Sequence, residues 1–191
     1  MLRAEIPCQL TGTDRWGDEA ITPQGCPSTQ VYCVYIHATP EAVWDAIVNP
    51  DLNGRYGYGV RCAYDLRPDS AFMGFPSDEM RRLGVPNAVA DGVVVEVERP
   101  RRFVHTWRML LSPELANEGF TRVTWEIDGG RFGVTRLTLM HELEGAPNVA
   151  LLLSGAMEDE GGGGGWNWVL CALKTFVETG KTIGPGVAPQ I

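Results

Sequence analysis

Two histidines are the residues here most able to move a proton. His105 sits in the run Phe103-Val104-His105-Thr106-Trp107, and His141 ends the run from Thr135 through Leu139 and Met140. The unperturbed imidazole pKa lies near neutrality, so an inward histidine is a candidate general acid or base. The plainer reading of each is a hydrogen-bonded interior histidine. Glu126 is a third candidate, but alternation along its strand puts it on the polar face. Glu158-Asp159-Glu160 has the charge for calcium without a second oxygen cluster at a readable spacing, and reads as a solvated turn. Gly161 to Gly165 is followed by Trp166 rather than by Lys-Ser or Lys-Thr, so it is not a phosphate loop but a hinge before the last helix. No nucleophile motif is present. Cys8, Cys26, Cys33, Cys62 and Cys171 form no CxxC pair, so no zinc site is implied and the cysteines read as small buried apolar residues. No cofactor and no metal is called for.

These residues lie in a chain of 191 residues, 44% hydrophobic and 21% charged, the size and composition of one globular domain. A net charge of −8 argues against nucleic acid as a partner, because phosphate binding needs clustered Lys and Arg. No apolar run is long enough to span a membrane. The first residues, Met1 to Cys8, carry no secretory signal, which points to the cytoplasm.

The elements that must position the candidates follow from pattern. Residues 1–29 are rich in Gly, Pro and Thr and read as an extension that includes Trp16 and Ile21; residues 30–182 read as one domain and 183–191 as a tail. Val31 to His37 is dense in β-branched and aromatic residues, a strand signal. Thr39 then caps a helix with Pro40 at its first position, and Asn49-Pro50 ends it. Gly57 to Arg67 reads as a strand, Ala71 to Phe75 as a weaker one, and Ser77 to Pro86 as a mobile loop. Val93, Val95 and Val97 alternate with Val94, Glu96 and Glu98 up to a turn at Arg99-Pro100, which puts those three valines inward. Phe103 to Trp107 is the next strand. After a loop from Pro113 to Gly119, Thr121 to Ile127 alternates strictly, turns at Asp128-Gly129-Gly130 and returns as Thr135 to Leu139. One-sided burial of both strands makes the sheet antiparallel. Trp166, Val169, Leu170, Leu173, Phe176 and Val177 form one apolar stripe on a final helix, with Gly180 as its C-cap. The class is α+β: a curved antiparallel sheet of six or seven strands wrapped around a long C-terminal helix, with short helices after the first strand.

The order of these pieces resembles the START-like, helix-grip superfamily, which includes plant pollen allergens, lipid-transfer domains and polyketide cyclases. More narrowly it resembles the family homologous to the C-terminal domain of the activator of the 90-kilodalton heat-shock chaperone ATPase. The resemblance rests on His37 to Ala46, Val94 to Trp107, Thr135 to Glu142 and Gly165-Trp166, and spans about Val31 to Thr179. It implies a cavity between the sheet and the last helix, without fixing one activity.

Apolar parity lines that cavity with Val95, Phe103, His105, Trp107, Val123, Trp125, Leu137, Leu139 and His141, joined by Trp166 and Leu170 of the last helix and Trp44 of the first. Tyr56, Tyr58, Phe72 and Phe75 are expected at its mouth. Odd hairpin registers place Trp125 opposite Thr135 or Leu137, which leaves the backbones of His105 and His141 roughly 16 Å apart. That separation argues against an acid–base pair or a shared metal. Three functions fit. The first is a binder or carrier of a small apolar or aromatic molecule. The second is a cyclase- or dehydratase-like enzyme using His105 or Glu126, which a strongly shifted pKa in the cavity would favour. The third is an interaction module for a chaperone or other regulated partner, with a filled interior. A cavity of several hundred cubic ångströms separates the first two from the third. Exposed sheet edges leave a homodimer open. The sequence leans away from an enzyme.

Overall fold

Alternating apolar and polar residues build seven strands, and their pairing is antiparallel throughout. The structure is a computed structural model that describes residues 28–85, 87–160 and 163–183. The expected extension up to residue 27, with Cys8, Trp16, Ile21 and Cys26, and the tail from residue 184 lie outside the described residues. The strands are β1 (Thr29–Ile36), β2 (Arg61–Tyr64), β3 (Ala71–Phe75), β4 (Ala90–Glu98), β5 (Arg102–Met109), β6 (Thr121–Gly129) and β7 (Thr135–Glu142). They form one sheet in the order β1-β7-β6-β5-β4-β3-β2. Six helices join them: α1 (Pro40–Val48), α2 (Pro50–Asn53), α3 (Asp78–Arg82), α4 (Pro113–Asn117), α5 (Pro147–Leu153) and α6 (Gly165–Thr179). This is the expected α+β helix-grip architecture.

The long helices start and stop where their residues require. The Thr39 hydroxyl accepts from the Ala42 N–H, Pro40 occupies the first turn of α1, and Asn49 closes it. Gly180 ends α6 in a left-handed conformation, φ 70°, that glycine adopts without strain. The stripe on α6 faces inward: Leu170, Leu173 and Phe176 are buried, and Trp166, Val169 and Val177 pack against the same core. The outer face of the sheet carries the charges, in pairs such as Arg102 with Glu96 and Glu126, and Arg136 with Asp128.

Several expectations are corrected. The strand expected over Gly57 to Arg67 contracts to β2, because Gly57 and Gly59 take positive φ in a turn. Ser77 to Pro86, expected as a mobile loop, holds α3, where the Ser77 hydroxyl accepts from Met80 N–H and Met80 is buried. The loop after Pro113 contains α4, and α5 has no counterpart in the expected elements. In β4 the pairing runs Val94 to His105 and then Glu96 to Val104, so Val95 is an extra residue in a bulge. The bulge breaks the alternation: Val94 is fully buried, Val97 packs on the core and Val93 is 42% exposed. Val93 therefore faces outward, against expectation. The β6–β7 loop does have an odd length, Gly130 to Val134, but Trp125 pairs with Leu139 rather than with Thr135 or Leu137. Cys33 and Cys171 are exposed rather than buried, while Cys62 is half-buried.

Candidate functional site

A cavity opens where the N-terminal end of α6 crosses β5 and β6 beside the short strands β2 and β3. The centre of a water molecule can occupy about 160 Å³ of it, and it is partly open to solvent. That is smaller than the several hundred cubic ångströms expected. Cys62 and Tyr64 of β2 line it, with Phe72 and Gly74 of β3, Ala90 of β4, His105, Trp107 and Met109 of β5 and Trp125 of β6. Met80 of α3, the turn Tyr56-Gly57-Tyr58, Leu152 and Leu153 of α5, and Gly165, Trp166 and Val169 of α6 close the other side.

Local sequence explains this arrangement. α6 begins at Gly165 with φ 58°, and a Cβ there would overlap the Leu153 carbonyl. Glycine thus lets α6 start against the end of α5, and the Gly165 N–H donates to the Tyr58 hydroxyl at 3.0 Å. The described glycines of the run lie against their surroundings, Gly163 against Tyr58, Gly164 against Trp168 and Gly165 against Leu153. Asn53 ties α2 to β2: its Nδ2 donates to the carbonyls of Ile47 and Cys62, and its Oδ1 accepts from Cys62 N–H.

Of the residues expected to meet a ligand, Tyr56, Tyr58, Phe72, His105, Trp107, Trp125 and Trp166 line the cavity. Val123, Leu137, Leu139 and Leu170 are instead buried in the close-packed region beneath α6. Trp44 and Phe103 meet edge-on at 6.1 Å in the core. Phe75 lies under the Arg61 guanidinium, 5.2 Å from its ring centre, and Val95 is in the bulge. His141 stands behind Trp107 and Trp166, edge-on to both at 5.4 and 5.9 Å. Sequence reasoning missed Cys62, Tyr64, Met80, Ala90, Met109 and the α5 leucines, most of which sit on elements too short to show a period.

Both histidines pair with Val123, one from each side, so their backbones are two strands apart, roughly 10 Å rather than 16 Å. Their protons are fixed by their partners. An indole N–H can only donate. Trp125 Nε1 donates to His105 Nε2 at 3.2 Å, so the His105 proton is on Nδ1, which donates to the Thr106 carbonyl at 2.9 Å. Trp166 Nε1 donates to His141 Nδ1 at 3.0 Å; His141 Nε2–H then donates to the Thr121 hydroxyl at 2.7 Å, which donates to the Trp107 carbonyl at 2.7 Å. The two rings are neutral in opposite tautomers. Burial pushes the His105 pKa down to about 4, against a smaller upward pull from the Thr106 carbonyl. Burial, and then the neighbouring His105, pushes His141 down to about 3. Burial likewise raises the Cys62 thiol to about 11 and holds the Tyr56 and Tyr64 hydroxyls neutral.

The shifted histidine values thus record desolvation first, with the like-charge neighbour His105 adding to it at His141, and each imidazole lone pair is occupied by an indole. Glu126 lies on the outer face, paired with Arg102 at 2.9 Å. Among the described residues no group of three His, Cys, Asp or Glu could hold a metal ion. No described helix is long and apolar enough to cross a membrane.

A profile of the family described as Activator of Hsp90 ATPase homolog 1-like protein matches residues 37–178. No curated protein matches the chain. Among solved structures, protein MLL2253 from Mesorhizobium loti is similar with 18% identity and a TM-score of 0.57, over 78% of this chain and 96% of that one. CalU16 from Micromonospora echinospora is similar with 19% identity and a TM-score of 0.55, over 81% of each chain. DynU16, a protein in the dynemicin biosynthetic locus, has 19% identity and a TM-score of 0.58, over 85% of this chain and 50% of that one. At these identities the likeness speaks for the fold alone.

Proposed function

Because this chain belongs to the family of Activator of Hsp90 ATPase homolog 1-like proteins, we propose that it binds one small apolar or aromatic molecule between the sheet and α6. The role is that of a carrier, sensor or sequestering protein. The observation that carries this reading is the apolar cavity walled by Trp107, Trp125 and Trp166. A dry apolar cavity of about 150 Å³ is known to take up benzene, so a space of about 160 Å³ suits a single ring or a short chain. A folded polyketide is too large for it.

The cyclase-like alternative needs an inward acid or base. His105 and His141 have no free lone pair, and Glu126 is outside, so the geometry supplies none of the groups that reading relied on. The interaction-module alternative relied on a filled interior. A cavity of about 160 Å³ departs from that but falls short of the several hundred cubic ångströms that separate the readings, so the apolar lining and not the volume favours binding. A net charge of −8 still disfavours nucleic acid.

Tryptophan fluorescence tests the proposal, because three indoles line the space. Titration with single-ring aromatics and short acyl compounds is expected to give saturable quenching. In a Val60→Phe variant, filled from a half-buried position on the cavity wall, the quenching should vanish while the thermal midpoint is kept. A flat response from the folded wild-type chain overturns the binding reading and leaves the interaction module as the better one.

A further inference from the structure

The lining of the cavity includes no Asp, Glu, Lys or Arg among the described residues. Most polar groups that reach the wall are already committed. Asn53 uses its amide on Ile47 and Cys62, the Tyr56 hydroxyl donates to the Ala46 carbonyl at 3.1 Å, and the Trp125 and Trp166 N–H groups are spent on histidines. The Tyr64 hydroxyl and the Cys62 thiol, two residues apart on the same short strand, both line the space and hydrogen-bond only to each other among the lining groups, which leaves acceptor capacity on the oxygen and the sulfur for a further partner. The Tyr64 ring stacks on Phe72 at 4.9 Å and meets Phe103 edge-on at 4.9 Å, so its position is set before any ligand arrives.

We infer that the cavity selects an uncharged ligand with one hydrogen-bonding group, an alcohol, phenol or carbonyl, turned toward Tyr64 and Cys62, and rejects a carboxylate of the same shape. This rests on the binding reading above and adds the ligand's chemical class to it. A carboxylate entering the space gives up its hydration and meets no cation on the wall, which disfavours the charged form strongly. An alcohol gives up less and recovers it at a neutral hydroxyl and thiol. Burial keeps the thiol protonated at neutral pH, so it serves as a weak donor and acceptor and not as a nucleophile.

Toluene, benzyl alcohol and benzoate share one ring and differ in the substituent, so calorimetric titration of the full chain at neutral pH separates the contributions. Benzyl alcohol is expected to bind roughly fivefold more tightly than toluene, and benzoate at least roughly a hundredfold more weakly than the alcohol. Tyr64→Phe should bring benzyl alcohol down to the affinity of toluene while toluene itself changes by less than about twofold. That unchanged toluene affinity also shows that the variant is folded. Benzoate binding as tightly as benzyl alcohol, or a Tyr64→Phe variant that keeps the preference for the alcohol, overturns this inference and leaves the apolar cavity standing. Failure of all three compounds to bind the folded wild type overturns the cavity reading and this inference with it.

Discussion

The indole of Trp166 can only donate, and that fixes the protonation of His141. A second proton on either histidine ring would point N–H at N–H, so the native state resists acid at these two sites. His141 faces Thr121, Trp107 and Trp166, and among the described residues the titratable neighbour that acts on it is His105. His105 faces Trp125, Phe72, Phe103 and Tyr64, whose hydroxyl burial holds neutral. In the unfolded chain both rings titrate near 6.5, against about 4 and about 3 in the fold. The unfolded state therefore binds more protons below that value, and stability must fall as pH falls through it. The stability is fully present above the unfolded pKa and is lost on going down toward the folded values. Each pKa unit is worth about 1.4 kcal/mol, so acidifying from about pH 7 to about pH 5 should cost roughly 2 kcal/mol per histidine. Urea midpoints at the two pH values measure this. A His141→Gln variant, less stable at neutral pH, should lose only about half as much on acidification. Equal losses in the variant and the wild type would show that His141 is not held neutral.

Among the short helices, α2, α3 and α4 are capped by the residue just before them, Asn49, Ser77 and Ser112, whereas α5 takes its cap from far away in sequence. Its N-cap position is Ala146, which offers no side-chain acceptor. Glu118, just after α4, supplies it: Oε1 accepts from the Asn148 N–H at 2.9 Å and Oε2 from the Val149 N–H at 2.9 Å. A carboxylate on the first N–H groups of a helix both caps it and complements its dipole. Glu118→Ala is expected to cost about 1–2 kcal/mol of stability and to lower the affinity of any cavity ligand, because α5 carries Leu152 and Leu153 to the wall. A Glu118→Gln variant should recover part of the loss; an unchanged urea midpoint in Glu118→Ala would refute the capping role. The same distance dependence explains what was legible in the sequence. The strands β6 and β7, α1 and α6 each carry their own period and caps, so they were readable along with the α+β class and the tryptophan wall. β4 was misread because its alternation ignores a bulge that exists only through pairing with β5. Gly92 belongs to the same pairing, since a Cβ there would collide with the Thr106 carbonyl. The floor of the cavity was lost for a related reason. Cys62, Tyr64, Met80 and Leu153 sit on segments of four to seven residues, too short for a period to mark a face.

Across the whole molecule the interior divides into a packed half and a hollow half. Leu170 and Leu173 of α6, with Val123, Ile127, Leu137 and Leu139 of β6 and β7, are closed to solvent and outside the lining of the cavity. Toward β2 and β3, the wall residues Val60, Cys62, Tyr64, Leu111 and Val169 are only half-buried and face the cavity. Atoms that line an empty space lack dispersion partners on one side, so the hollow half is the less stable half of the domain. A ligand that fills it binds the native state alone and stabilises the fold by mass action. At about a hundred times its dissociation constant, benzyl alcohol should add roughly 2.7 kcal/mol, which for a domain of this size is a rise of roughly 5–10 °C in thermal midpoint. The gain should also be local. Amide hydrogen exchange is expected to slow in β2, β3 and α3 at ligand concentrations that leave β1 and β7 unchanged, because local opening of the hollow half is what the ligand suppresses. Uniform slowing across all strands would mean that the sheet opens only as one unit, and the division into two halves would then have no energetic counterpart.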